Sequence, residues 1–400
     1  MPEMEKTVVL AYSGGLDTSV AIRWLKDTYG YQVVALSLDL GETTDAATLR
    51  TKALAIGAKA VVIEDAKAEF AAEFLKPALW ANALYQKEYP LATALARPLI
   101  AKHLVATARQ YGAQAVAHGC TGKGNDQVRF DVAVASLAPD LAVVAPVREW
   151  AWTRAQEIAY AEVHGIPVPA TLENPYSVDA NLWGRSVEGG VLEDPWVEPP
   201  AACYAWTTGP DDWPEAAEEI TISFAAGVPV QLNGQTMTLH ALIAAVGELA
   251  GRHGVGRLDL LEDRLVGIKS REVYEAPAAV TLIAAHRAAE ALTLPKDLLQ
   301  HKAGIEDVLA QAVYNGLWYS PLTRALLAYL EETQKSVEAE VRLRLHAGQA
   351  TVIGRRSDCS LYRSDLATYG EGDAFDATAA VGFIKIWGLP MKAVATAHGR

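Results

Sequence analysis

Short apolar runs alternate with helical spacing through the first 167 residues. Thr7–Leu10, Gln32–Leu38, Ala60–Glu64, Ala115–His118 and Leu141–Ala145 read as buried strands. Between them, Val20–Leu25, Asp45–Ile56 and Leu99–Tyr111 carry the spacing of amphipathic helices. Gly57 and Gly112 stand where a helix stops. A further helix, about Thr153–Val163, precedes the breakers Gly165 and Pro167. Strands alternating with helices imply a mostly parallel sheet covered on both faces, an α/β nucleotide-binding domain of Rossmann-like type. Ligands of such a sheet sit outside the carboxyl ends of its strands. Ser13–Ser19, Asp39–Glu42 and His118–Gly119 each follow a strand and should share one rim.

The pattern then changes. Residues 167–214 are rich in Pro and Gly with little periodicity, and read as loops. Ile220–Phe224 alternates as a strand, and Val230–Leu232 faces Thr236–Thr238 across Asn233-Gly234, a hairpin signal. Helices follow at about Leu239–Gly251, Pro277–Leu292 and Asp297–Tyr314, then a hairpin of Val337–His346 with Ala350–Ile353. These elements make a second, α+β domain over 168–363. The remainder, 364–400, carries the apolar run Phe383–Leu389 and reads as a tail that docks on its own chain or on a neighbour.

The densest chemistry lies in Ala11-Tyr12-Ser13-Gly14-Gly15-Leu16-Asp17-Thr18-Ser19, between a strand and a helix. That arrangement aims backbone N–H groups at an anion. The glycines allow close approach of a phosphate, the hydroxyls add donors, and Thr18 or Ser19 could cap the helix. No lysine follows the glycines as a P-loop requires, and the third glycine of a dinucleotide fold is missing. What remains, S-G-G-x-D-[ST], resembles the loop of the ATP pyrophosphatases, which hold the β- and γ-phosphates while chemistry occurs at the α-phosphate. A second cluster, His118 to Phe130, packs three glycines around Thr121, Asn125, Asp126 and Arg129. Arg129 suits a carboxylate and Asp126 an ammonium group, the two ends of an amino acid. Arg97 precedes Pro98 in a helical pattern, and a break there would turn Arg97 and Tyr89 toward a site. The loops at 174–190 and the charged, glycine-flanked stretch 254–275 read as further site wall.

Composition narrows the classes. A net charge of −13 argues against a nucleic-acid surface. No apolar run reaches membrane-spanning length, Met1–Lys6 is no signal peptide, and Cys120, Cys203 and Cys359 are too scattered for a zinc site or a disulfide framework. A reduced, cytoplasmic protein is expected. A thiolating enzyme of the same loop class would need reactive cysteines and a basic surface. A nucleotide sensor would not need the additional loops.

Five blocks together are specific: A-Y-S-G-G-L-D-T-S at 11–19, Y-P-L-A-T-A-L-A-R-P at 89–98, H-G-C-T-G-K-G-N-D-Q-V-R-F at 118–130, N-P-Y-S with R-S-V-E-G-G within 174–190, and G-V-G-R through K-S-R-E-V-Y-E at 254–275. In order and spacing the sequence resembles the argininosuccinate synthase family over nearly its whole length. The resemblance implies a ligase that joins citrulline to aspartate with ATP and Mg²⁺. It places Ala11, Tyr12, Ser13, Gly14, Gly15, Leu16, Asp17, Thr18, Ser19, Leu38 and Gly119 at ATP. It places Tyr89, Asn125, Arg129, Ser177, Ser186, Glu262 and Tyr274 at citrulline, and Thr121, Asn125 and Asp126 at aspartate. Asp17, Asp126 and Arg97 are the candidate catalytic residues, with Asp17 supporting either Mg²⁺ or the loop itself. Mg²⁺ would come with ATP, without protein ligands, and a homotetramer assembled partly through the tail is implied. The chain departs from some family members at Ala94, where a Ser stands in them, and at Cys120, where a small Ala is common. Cys120 is expected to be a buried thiol without a catalytic role.

Overall fold

The computed structural model describes residues 6–42, 45–167 and 176–399. The expectations for Met1–Glu5, for Asn174 and Pro175, and for a boundary between 167 and 168 fall outside the described residues.

Five parallel strands, β1 (Thr7–Ala11), β2 (Gln32–Asp39), β3 (Ala60–Asp65), β4 (Ala115–Ala117) and β5 (Ala142–Val144), form a sheet in the order β3-β2-β1-β4-β5. Both faces are buried, so these strands read as continuous apolar runs. Val8 and Leu10 pack with Val20, Leu25 and Ala161 on one side. Val9, Val34 and Leu36 pack with Leu104, Phe130 and Val134 on the other. The helix Leu16–Tyr29 starts one residue after Gly15 and ends on Gly30 in the left-handed region. Asp45 caps Ala46–Ile56, and Thr153 with Gln156 forms a capping box on Arg154–Val163.

The helix ahead of β4 is longer than its pattern suggests. It runs Ala92–Tyr111 with Pro98 inside, so the expected break at Arg97 is absent. Pro98 sits one and a half turns in and costs the backbone one N–H. Its carbonyl accepts a hydrogen bond from the Tyr319 hydroxyl at 2.8 Å.

Beyond residue 176, β8 (Glu218–Ala225), β9 (Val228–Leu232), β10 (Gln235–Thr236), β13 (Ala339–His346) and β14 (Gln349–Arg356) make a second sheet, antiparallel, in the order β10-β9-β8-β13-β14. The turn at Asn233-Gly234 has positive φ at both residues, as its sequence signal requires. Part of the stretch expected to be loops, together with the charged stretch 254–275, instead forms a third sheet. Here β6 (Ser177–Asn181), β7 (Gly184–Glu188), β11 (Arg257–Asp263) and β12 (Lys269–Glu275) pair antiparallel in the order β11-β12-β7-β6.

The segment between β3 and β4 does not serve the parallel sheet alone. Phe70, Phe74, Leu79, Trp80 and Leu95 join Leu282, Leu330 and Val341 in one core. A buried polar network locks the same junction. Lys302, 1 % exposed, lies 3.0 Å from Glu290 and 2.5 Å from Glu306, while Asn82 donates to both carboxylates at 2.8 Å. Removing one partner of a buried pair strands the other charge. Lys302→Met is therefore expected to lower unfolding free energy by about 3 kcal/mol, read from the urea midpoint of the full chain.

Candidate active site

The three rim segments do converge. A cavity of about 500 Å³ opens at the carboxyl ends of β1, β2 and β4, and the third sheet closes its far side. Ala11, Tyr12, Ser13, Gly15, Asp17, Thr18, Leu38 and Gly119 line it at the sheet end.

Gly14, Leu16 and Ser19 do not line the cavity and act on the loop's shape instead. Gly14 has φ +79°, and a Cβ there would stand 2.4 Å from Leu49 Cδ2. Its carbonyl accepts from Lys52 Nζ at 2.5 Å and Ser19 Oγ at 3.5 Å. Leu16 and Ser19 are buried. Neither Thr18 nor Ser19 caps the helix: the N-cap is Gly15, with no side-chain cap, and Ser13 Oγ accepts from the Gly15 N–H at 3.3 Å. The first-turn amides stay open to an anion at the positive end of a 14-residue helix. The second loop comes very close, since a Cβ on Gly119 would lie 2.8 Å from Thr18 Cγ2.

Asp17 lines the cavity and also meets protein behind the loop. Its carboxyl lies within hydrogen-bond reach of Glu157, which is 4 % exposed and accepts from Trp150 Nε1 at 3.1 Å. Desolvation, and then Asp17, push the Glu157 carboxyl up to about 8, so near neutrality Glu157 keeps its proton. Among the two roles left open for Asp17, this contact favours loop support. Nothing in the sequence marked Glu157, which is one acid in an ordinary amphipathic helix.

Along the cavity's middle runs a chain of charges. Arg97 Nη2 pairs with Asp179 and, at 2.8 Å, with Asp126, whose other oxygen accepts from Arg129 Nη1 at 2.8 Å. Desolvation would raise Asp126, but the two guanidinium groups outweigh it and hold its carboxyl at about 2. Among the described residues Arg97 Nε and Arg129 Nη2 are buried without a partner, so each guanidinium keeps an unused cationic donor. Arg97 reaches this position from within a regular helix, not from a break.

The third sheet supplies the opposite wall through its pleat. Asp179 pairs with Ser186 and Ser186 with Tyr274, so all three share a face. Ser177, Glu188, Glu272 and Glu262 fall on that face by the same register and line the cavity too. The other face carries Val187 and Val273 against Leu192 and Cys203. Polar residues on the cavity face hid these strands in the sequence.

Tyr89 stacks on Tyr274 with ring centroids 4.2 Å apart. Its hydroxyl lies 2.7 Å from Thr93 Oγ1, and burial pushes it up. Ala94 is buried in the core, while Thr93 beside it lines the cavity and carries the hydroxyl of that turn. Glu262 is 2 % exposed and accepts from the Tyr274 and Tyr314 hydroxyls. Burial raises its carboxyl against those two donors. Asn125 and Thr121 line the cavity beside Asp126. Cys120 lines it as well, and burial pushes its thiol up, which keeps it protonated and unreactive. Lys52, Thr93, Glu157, Asp179 and Tyr314 are thus site or supporting residues that motif reading missed.

Comparison with known proteins agrees with this geometry. Residues 7–167 match the family model "Arginosuccinate synthase N-terminal HUP domain", and 176–394 match "Arginosuccinate synthase C-terminal domain". The argininosuccinate synthase of Brevibacillus brevis is 58 % identical over 388 residues, 97 % of this chain and 93 % of the relative. That of Oceanobacillus iheyensis is 57 % identical, covering 99 % and 95 %, and that of Listeria monocytogenes 56 % identical, covering 99 % and 98 %. A glycine loop at a helix start, an arginine-flanked carboxylate and a polar sheet face around one cavity, matched by both family models and by full-length relatives, place the chain in the argininosuccinate synthase family.

Proposed function

We propose that the chain condenses citrulline with aspartate at the expense of ATP, through a citrullyl-adenylate, with each substrate held as the site geometry divides the cavity. The observation that carries this reading is the placement of an open helix N-terminus at one end of a single cavity and of Glu262, Asp126 and the unpaired arginine donors farther along it. As an ATP-dependent ligase it forms a C–N bond and serves arginine biosynthesis.

ATP would lie with its phosphates over Ser13–Ser19 and its base toward Leu38 and Gly119. Glu262 and Tyr274, with Ser177, Ser186, Tyr89, Asn125 and Arg129, would hold citrulline. Thr121, Asn125 and Asp126 would hold aspartate, with the Arg97 and Arg129 donors available to carboxylates. The ureido oxygen attacks the α-phosphorus as the bond to pyrophosphate breaks. The aspartate amine then attacks the activated carbon, losing a proton, and AMP leaves. Adenylation turns a poor leaving group into a good one, so positioning and fixed charge carry most of the catalysis. Mg²⁺ fits as an ion brought by the phosphates, since the loop offers amides and hydroxyls; bound there, it neutralises phosphate charge. Among the described residues no helix is long and apolar enough to cross a membrane, and a cytoplasmic setting is part of this proposal.

The half-reactions provide the test. Asp126→Asn should cut kcat/KM for aspartate by about a hundred-fold, yet spare citrulline-dependent exchange of labelled pyrophosphate into ATP. Equal loss of both would show that Asp126 acts before aspartate does.

The Glu157–Asp17 pair sets a pH dependence. Above about pH 8 Glu157 ionises and adds a negative charge beside the phosphate loop. The KM for ATP should rise there, and Glu157→Gln, which cannot ionise, should flatten the profile measured by pyrophosphate exchange.

For the tail we propose assembly into a homotetramer. Its helices Ala377–Trp387 and Leu389–Ala397 bury no residue, and Phe383, Ile384, Ile386 and Trp387 are all more than 60 % exposed. Apolar surface of this extent marks an interface. Deleting residues after Gly372 should lower the mass found by light scattering, while ATP binding persists, because every cavity residue precedes the cut.

A further inference from the structure

Tyr314 lies at the last turn of the helix Lys296–Tyr314, in no motif, and is 1 % exposed. Its hydroxyl donates to Glu262 Oε2 at 2.8 Å and accepts from Asn125 Nδ2 at 2.8 Å. A phenol has one proton to give and lone pairs to receive with, so both roles are used at once. Asn125 Oδ1 meanwhile accepts from the Leu265 N–H at 2.8 Å, in the turn joining β11 to β12. The Asn125 amide is therefore pinned at both ends, with one Nδ2 proton left over. The ring is fixed independently of the hydroxyl. It stacks on Tyr85 with centroids 3.5 Å apart, and the Arg129 guanidinium sits 4.9 Å over it. The Tyr314 carbonyl accepts from Arg129 Nε at 3.0 Å.

We infer that Tyr314 is a positioning residue whose hydroxyl joins the aspartate-side loop to the citrulline-side hairpin, fixing Asn125 and Glu262 in one arrangement. The inference rests on the reading that Glu262 holds citrulline and Asn125 meets both amino acids. Removing the hydroxyl leaves Glu262 with one donor, Tyr274, and frees the Asn125 amide to turn. Both effects fall on the amino acids and neither on ATP.

Glu262 also reports the loss through its titration. The groups around it are Tyr274 and Glu272 on β12, Arg264 after β11, Arg129 on the helix Asp126–Leu137, and Tyr85, Tyr89 and Tyr314. Burial raises its carboxyl, and the hydrogen bonds from Tyr274 and Tyr314 are the first forces opposing that rise. Hydrogen bonds to a carboxylate favour its ionised form. Without the Tyr314 hydroxyl the carboxylate must protonate at higher pH.

Tyr314→Phe in the full chain keeps the ring, the stacking and the backbone contact. Its KM for citrulline and for aspartate should each rise about ten-fold, the size of one hydrogen bond to a charged group, with the KM for ATP unchanged. The acid limb of kcat/KM for citrulline should move to higher pH, which a general loss of stability would not produce. Glu262→Gln should raise the citrulline KM and abolish that limb, with or without Tyr314→Phe. Unaltered amino-acid KM values and an unmoved limb in Tyr314→Phe, beside an impaired Glu262→Gln, would overturn the inference alone. Failure of Tyr314→Phe to fold would overturn it too, by making the hydroxyl structural. A Glu262→Gln enzyme with normal citrulline KM would remove the reading of the citrulline site, and this inference with it.

Discussion

Arg97 shares one guanidinium nitrogen between Asp126 and Asp179, and Asp126 is shared in turn with Arg129. These four charges come from the helix Ala92–Tyr111, the helix Asp126–Leu137 and β6, so they tie the parallel sheet to the third sheet across the cavity. Two cations facing two anions cost little net desolvation only while every partner stays in place. The four groups therefore hold one another in place, and the cavity inherits that rigidity. Among the described residues it also leaves two donors over, Arg97 Nε and Arg129 Nη2.

The third sheet turns this rigidity into selectivity by means of its pleat alone. A register with Asp179, Ser186 and Tyr274 in line presents hydroxyls and carboxylates to the cavity every second residue. The residues between them, Val187 and Val273, hold the sheet to its own small core. Slipping the register by one would exchange the two sets and erase the site. The two ends of the cavity are consequently built from different physics: open amides at a helix start on one side, side chains on a sheet face on the other.

The phosphate loop is buttressed in a comparable way. Leu49 and Lys52, both on the helix Ala46–Ile56, meet Gly14 by a close contact and by a hydrogen bond to its carbonyl. Glu157 meets Asp17 from the far end of the same domain. A loop that must keep its amides pointing outward needs its carbonyls and side chains satisfied from behind, and these residues do so.

The sequence by itself determined the parallel sheet, because strands buried on both faces leave unbroken apolar runs, as in Val8-Val9-Leu10, and glycines mark where the helices end. It determined the glycine loop Ser13–Ser19 for the same kind of reason, since that loop is made by consecutive residues between a strand and a helix. The family resemblance extended this to Asp126, Arg129, Glu262 and Tyr274, which do line one cavity. Tertiary structure alone decided the rest. β6 and β7 read as loops, and β11 and β12 as a charged site wall, because long-range pairing partners, not their local pattern, make them strands, and their buried face is only a few residues wide. The helix through Pro98 persists because the surrounding core, and Tyr319 at its carbonyl, hold what local preference would have broken. Glu157, Tyr314 and Lys52 carry no motif, since each acts on a residue far away in the chain. Contacts at such separation leave no periodicity behind, and only the folded chain brings the groups into hydrogen-bond reach.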